Sequence, residues 1–167
     1  MSRAFVKEGD GGLEPLPDLP VSVHPNYVTP RGLAALQLRL AARQSDLLGL
    51  KARADRLDRL PEAAAERDIR YLEARLRSAI VVDPKVAPVS EVAFGHIVTV
   101  EDAAGALTAY EITGEDEADA ARNRIAPHAP LARALIGAVV GDEVKWHRPA
   151  GSVSLTIRNI THVDPPA

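Results

Sequence analysis

The side chains with the most chemical potential are carboxylates. Asp55, Asp58, Glu62 and Glu66 crowd into residues 55–66. Asp55 and Asp58 lie three apart and share a face with Glu62, four further on, a spacing that would offer a pair of hard oxygen ligands to a divalent cation. The same carboxylates would equally well offset Arg53, Arg56, Arg59 and Arg67 on a solvated surface. A second acidic run, Asp116-Glu117-Ala118-Asp119, spells a helicase box, but no glycine-rich phosphate loop with Lys-Ser/Thr accompanies it. It also lacks the spacing of a calcium loop, so it reads as a turn. His24, His96, His128, His147 and His162 are too scattered for a ligand set, and no Ser/His/Asp grouping stands out. Cysteine is absent, which excludes disulfide scaffolds, zinc ribbons, thiol nucleophiles and iron–sulfur ligation. A reducing, cytoplasmic home and no cofactor of its own are expected.

The elements that must position these groups divide the 167 residues in two. The total charge of −3, from 20 Lys plus Arg against 23 Asp plus Glu, gives no bulk drive toward a polyanion. The total hides segregation: residues 29–80 carry 11 basic and seven acidic side chains, residues 81–167 seven and 12. Val plus Ile number two in the first of these segments and 18 in the second, while Ala plus Leu make up 22 of the 52 residues of 29–80. A helical module therefore gives way to a β-rich one near Asp83-Pro84.

Residues 1–28, with Pro15, Pro17, Pro20 and Pro25 among three early glycines, read as a flexible tail. Thr29-Pro30 is a helix start, an N-cap hydroxyl before a proline at the first helical position. Leu33, Leu36, Leu40, Leu47, Leu50, Ala54 and Leu57 then follow 3,4 spacing, with Arg43 the polar interruption, and predict one helix running to a turn at Leu60-Pro61. A second helix from Pro61-Glu62 repeats the spacing with Ala65, Ile69, Leu72, Leu76 and Ala79. The prediction for 29–82 is an antiparallel coiled-coil hairpin. In 83–167, Val92–Glu101, Leu107–Thr113, Val139–Trp146 and Val153–Ile160 read as strands, with a short helix at Pro130–Ile136 stopped by Gly137. The fold class is α+β, the second module a small antiparallel β domain with one short helix. No run is long and apolar enough for a membrane span, so a soluble chain without a membrane partner is expected.

These residues also form a pattern. Gly114-Glu115-Asp116-Glu117-Ala118-Asp119, Ile125, Pro130-Leu131-Ala132-Arg133-Ala134-Leu135-Ile136-Gly137, Gly141-Asp142-Glu143-Val144, Pro149-Ala150-Gly151 and a final strand resemble, in order and spacing, the C-terminal domain of the bacterial Gre (GreA/GreB) transcription elongation factors. Upstream, Asn26-Tyr27-Val28-Thr29-Pro30-Arg31-Gly32-Leu33 resembles the start of that family's first coiled-coil helix. Val92-Ala93-Phe94-Gly95 with Val98-Thr99-Val100 resembles its first C-terminal strand.

The resemblance implies an FK506-binding-protein-like domain that docks on RNA polymerase. Asp116, Glu117, Asp119, Pro130, Leu131, Ala132 and Arg133 are the docking candidates. It also implies a coiled coil inserted in the secondary channel, whose tip carboxylates help hold a second Mg²⁺ for cleavage of backtracked RNA. Nucleic acid would be met only through the elongation complex, and the chain itself would be a monomer.

The family's cleavage motif, roughly Gly-Asp-x-x-Glu-Asn-x-x-Tyr, is broken here. With Tyr71 matched to its tyrosine, the acidic positions fall on Ala64 and Arg67 and the asparagine on Asp68. A regulator without cleavage activity is the first expectation. A cleavage factor using Asp55, Asp58 or Glu62 at a tip around Leu60 and Pro61, with Mg²⁺ shared with the polymerase, is the second. Prolyl isomerisation would need an aromatic-lined pocket from only Phe94, Tyr110 and Trp146, and a plain coiled-coil dimer is the remaining alternative.

Overall fold

The computed structural model describes residues 14–55 and 57–163. Helix α1 (Pro30–Lys51) opens as its sequence dictates: the Thr29 hydroxyl accepts the Gly32 N–H at 3.0 Å, and Pro30 occupies a position where no N–H is needed. It closes at Lys51, nine residues short of the expected turn. Local hydrogen bonds outcompete the helix there. The Arg53 guanidinium donates to the carbonyls of Leu50 and Asp58, while the carboxylates of Asp55 and Asp58 accept the N–H groups of Leu57 and Leu60 at 3.0 and 2.9 Å. Leu57, the last member of the apolar series, is 94 % exposed and has nothing to pack on. Helix α2 (Leu60–Ser78) carries Pro61 and Glu62 in its first turn.

The two helices run antiparallel, with Lys51 paired to Glu66 at 2.9 Å and Arg43 to Asp68 at 3.1 Å. At about 1.5 Å per residue they are about 33 and 28 Å long. Their small core sits at the base, where Val28, Leu36 and Leu72 are buried among Leu33, Leu40, Tyr71 and Leu76.

The expectation of a flexible leader needs correction from residue 14 onward; residues 1–13 lie outside the described part. Arg70 of α2 holds the Asp18 carboxylate at 2.6 Å and the Leu16 carbonyl at 2.8 Å. Strand β1 (Tyr27–Val28) pairs in parallel with β2 (Ile80–Val81), and Val28 is buried. Two-residue strands are too short to show a period of two, which is why this tie leaves no periodic trace in the sequence.

The second module is a five-stranded sheet of β3 (His96–Glu101), β4 (Leu107–Ile112), β5 (Arg124–Ile125), β6 (Glu143–Trp146) and β7 (Val153–His162), in the order β5-β4-β3-β7-β6. It is not purely antiparallel, as expected from the sequence: β5 runs parallel to β4. The chain reaches that register through Asn123, whose left-handed backbone (φ 53°) an Asn tolerates. Helix α3 (Pro130–Leu135) packs Leu131, Ala132 and Leu135 onto Val98, Val100, Ile112, Leu155 and Ile157 to form the main core. Among the described residues no helix is long and apolar enough to cross a membrane.

Candidate functional site

The far end of the helix pair, residues 52–55 and 57–59, is a loop rather than a tight turn at Leu60-Pro61. Asp55 and Asp58 are exposed, each with an oxygen engaged by backbone N–H in its own turn. Glu62 is buried at the start of α2 with Arg59 3.8 Å away, and Glu66 answers Lys51. The carboxylates thus face different neighbours, and among the described residues no group of three His, Asp or Glu can hold a metal ion. At the positions matched to the family's acids, Ala64 has no ligand atom and Arg67 is a cation paired to Asp68 at 2.9 Å. Neither of the two matched positions offers a carboxylate to a metal ion.

The densest polar constellation lies at the other end, where the helix pair meets the sheet module. The turn Gly114–Glu117 inserts two carboxylates between α1 and α2. Glu117 accepts the Thr29 hydroxyl at 2.6 Å, the N–H groups of Thr29 and Gly114 at 3.2 Å each, and Arg31 at 3.3 Å. Asp116 accepts the Tyr71 hydroxyl at 2.9 Å and the Arg75 guanidinium at 2.6 Å. Arg75, only 1 % exposed, also reaches the Asn26 side chain and Glu115. Arg31 bridges onward to Glu111 of β4, which Arg124 holds from its other side.

A buried guanidinium is tolerable only when matched in this way. Burial opposes the charge on Arg31, but the hydrogen bonds and fields of Glu111 and Glu117 outweigh it and raise its pKa. Burial, helped by the bond to Asp116, likewise raises that of the Tyr71 phenol. The approach is close: a Cβ on Gly32 would run into the Glu117 carboxyl, and one on Gly114 would come within 2.5 Å of the Tyr27 carbonyl.

Two of the sequence-derived docking candidates, Asp116 and Glu117, are therefore turned inward, 8 % and 7 % exposed along their side chains. Leu131 and Ala132 lie in the core. Pro130 and Arg133 are on the surface, and Asp119 caps its own turn through the Ala121 N–H at 3.0 Å. The clamp partners Thr29, Arg31, Tyr71 and Arg75 escaped sequence reasoning. One trace of them was present: Arg75 sits directly beside the apolar series Leu72, Leu76, Ala79, where a solvated cation has no reason to be.

Comparison with known proteins bears on what this architecture belongs to. The family model for the C-terminal domain of transcription elongation factors GreA/GreB matches residues 87–162. GreA of Pseudomonas aeruginosa is 35 % identical over 137 residues, 80 % of this chain and 87 % of that protein. The chain belongs to the Gre family. GreB of Xanthomonas axonopodis is 41 % identical over 98 residues, and there the match spans only 58 % of each protein. For GreB of Pasteurella multocida the share is 60 % of its length. Among solved structures, GreA/GreB from Nitrosomonas europaea (22 % identity, 82 % of this chain and 99 % of that one) gives a TM-score of 0.41. GreA factor homolog 1 of Thermus thermophilus (21 %, 83 % and 99 %) gives 0.39. Membership in the Gre family rests on the sequence relatives, and the family model's match includes the inward-facing turn 114–117 and the surface residues Pro130 and Arg133.

Proposed function

We propose that this Gre-family chain binds RNA polymerase through its sheet module, read as an FK506-binding-protein-like domain spanning 83–167, and directs the helix pair, read as a coiled coil, into the secondary channel. There it regulates elongation without contributing the carboxylates that support transcript cleavage, and it is not itself an enzyme. Nucleic acid is met only through the elongation complex, in the cytoplasm, by a monomer.

The clamp is the observation that supports this reading best. A probe that must enter a channel at a set angle needs its base held, and here four side chains, Thr29 and Arg31 at the start of α1 and Tyr71 and Arg75 of α2, converge on the 114–117 turn. The tip favours the non-cleaving form, because Ala64 and Arg67 stand at the matched acidic positions and Asp55 and Asp58 serve their own turns. The test is co-purification of the full chain with core RNA polymerase. Retention of the parent, with loss on Pro130→Ala combined with Arg133→Glu, is expected. A parent chain that does not bind would overturn the proposal.

A further inference from the structure

The face of the sheet module formed by α3 and β6 holds a groove that extends beyond Pro130 and Arg133, the two residues tested above for polymerase binding. One end is an apolar pocket of ≈ 510 Å³ whose walls include Tyr110, Ile125, Leu131 and Trp146. The other is a basin of ≈ 420 Å³ walled by Arg133 and Lys145, and the two share Pro130 and His147. Tyr110 and Trp146 meet edge to face, centroids 6.5 Å apart, so the floor is aromatic.

The rim is cationic in a module that is acidic overall. Of the seven Lys and Arg beyond residue 80, Arg122, Arg124 and Arg158 are paired to Asp119, Glu111 and Glu101. Three of the other four, Arg133, Lys145 and Arg148, stand on this groove, and none has a carboxylate partner among the described residues. Arg148 instead lies over the Trp146 ring, 5.1 Å from its centroid.

We propose that this groove binds an acidic, extended polypeptide segment that seats an aliphatic or prolyl side chain on the Tyr110–Trp146 floor and sets its carboxylates against Arg133, Lys145 and Arg148. Covering unpaired cations with an apolar occupant would strand them, whereas carboxylates on either side of an apolar residue satisfy both the floor and the rim. Nucleic acid fits less well. One face of Trp146 is taken by Arg148 and Tyr110 abuts it, so a base has no open stacking platform. The groove shares Pro130 and Arg133 with the surface assigned to polymerase, but the titration is run without polymerase, so its failure and that of the polymerase reading are separable.

Trp146 is the only tryptophan in the chain, so its emission reports occupancy directly. The full chain is titrated with a capped heptapeptide bearing two acidic residues on each side of a Leu-Pro-Leu centre, with the same peptide carrying Asn and Gln for Asp and Glu, and with octauridylate. Saturable change with the acidic peptide is expected. Binding should weaken about thirtyfold for the amide peptide and for Arg133→Glu/Lys145→Glu, the loss of two exposed charge pairs at the upper end of their range. Arg133→Gln and Lys145→Gln provide milder variants, and far-ultraviolet circular dichroism confirms that each is folded. The proposal is overturned if the acidic peptide gives no saturation at millimolar concentration, if the amide peptide binds equally, if the double variant binds like the parent, or if octauridylate binds more tightly than the peptide.

Discussion

Two glycines in one helix make the clamp measurable. Gly49 lies on the open side of α1 with nothing within 4 Å of where a Cβ would be. Gly49→Ala should therefore gain the ordinary helix-propensity difference of about 1 kcal/mol. Gly32→Ala gains at most the same, but its methyl group must displace Glu117, which accepts hydrogen bonds from the Thr29 hydroxyl, the Thr29 and Gly114 N–H groups and Arg31. Hydrogen bonds to a charged group contribute about 1.5–3 kcal/mol each. Losing only two at the low end costs about 3 kcal/mol, so the net change is a destabilisation of about 2 kcal/mol. For a chain of this size that is a fall in Tm of about 4–8 °C, against a rise of about 2–4 °C for Gly49→Ala. Urea unfolding followed by circular dichroism and Trp146 emission would give both values. If Gly32→Ala were as stable as the parent, the close approach of α1 to the 114–117 turn would be wrong.

Other consequences can be checked by the same melts. Asp116→Ala leaves the buried Arg75 guanidinium short of its nearest carboxylate and should cost about 3–5 kcal/mol, whereas Tyr71→Phe, which removes one hydrogen bond to the same carboxylate, should cost about 1 kcal/mol; equal losses would contradict the assignment. Leu72→Ala, at the buried base of the helix pair, should cost about 2–5 kcal/mol, and Leu57→Ala, at the exposed tip, close to nothing. Burial of His96 lowers its pKa from 6.5, and its Nδ1 already accepts the Ala93 N–H. The unfolded chain therefore takes up that proton first as pH falls, so stability is complete above about pH 6.5 and declines below it. The urea midpoint at pH 5 should fall less for His96→Gln than for the parent, and identical slopes would rule His96 out as the cause.

How far the sequence carries this picture depends on the range of the interactions. Thr29-Pro30 and Pro61-Glu62 are local signals, and α1 and α2 begin where they say; the change from Ala/Leu to Val/Ile precedes the five-stranded sheet, whose first strand starts at His96. The apolar spacing ran past the end of α1 because Ala54 and Leu57 keep the period while Arg53, Asp55 and Asp58 fold the backbone onto themselves. Spacing reports which side chains would share a face, not whether a partner exists to cover it. Asp116 and Glu117 stand out from sequence as a charged turn. That they point inward follows only from Arg31, Tyr71 and Arg75, 41 to 86 residues away in the chain. Val28 and Asn26 were lost in a proline-rich segment whose composition resembles that of a flexible leader.

The central claim is a Gre-family chain that engages polymerase without driving cleavage, and the direct measurement is on stalled, backtracked elongation complexes carrying 3′-labelled RNA. Incubated with this chain they should release no short 3′ fragments, while the chain slows release by a cleaving Gre factor added afterwards. Release of 3′ fragments by this chain alone, abolished by Asp55→Asn or Asp58→Asn, would contradict the account.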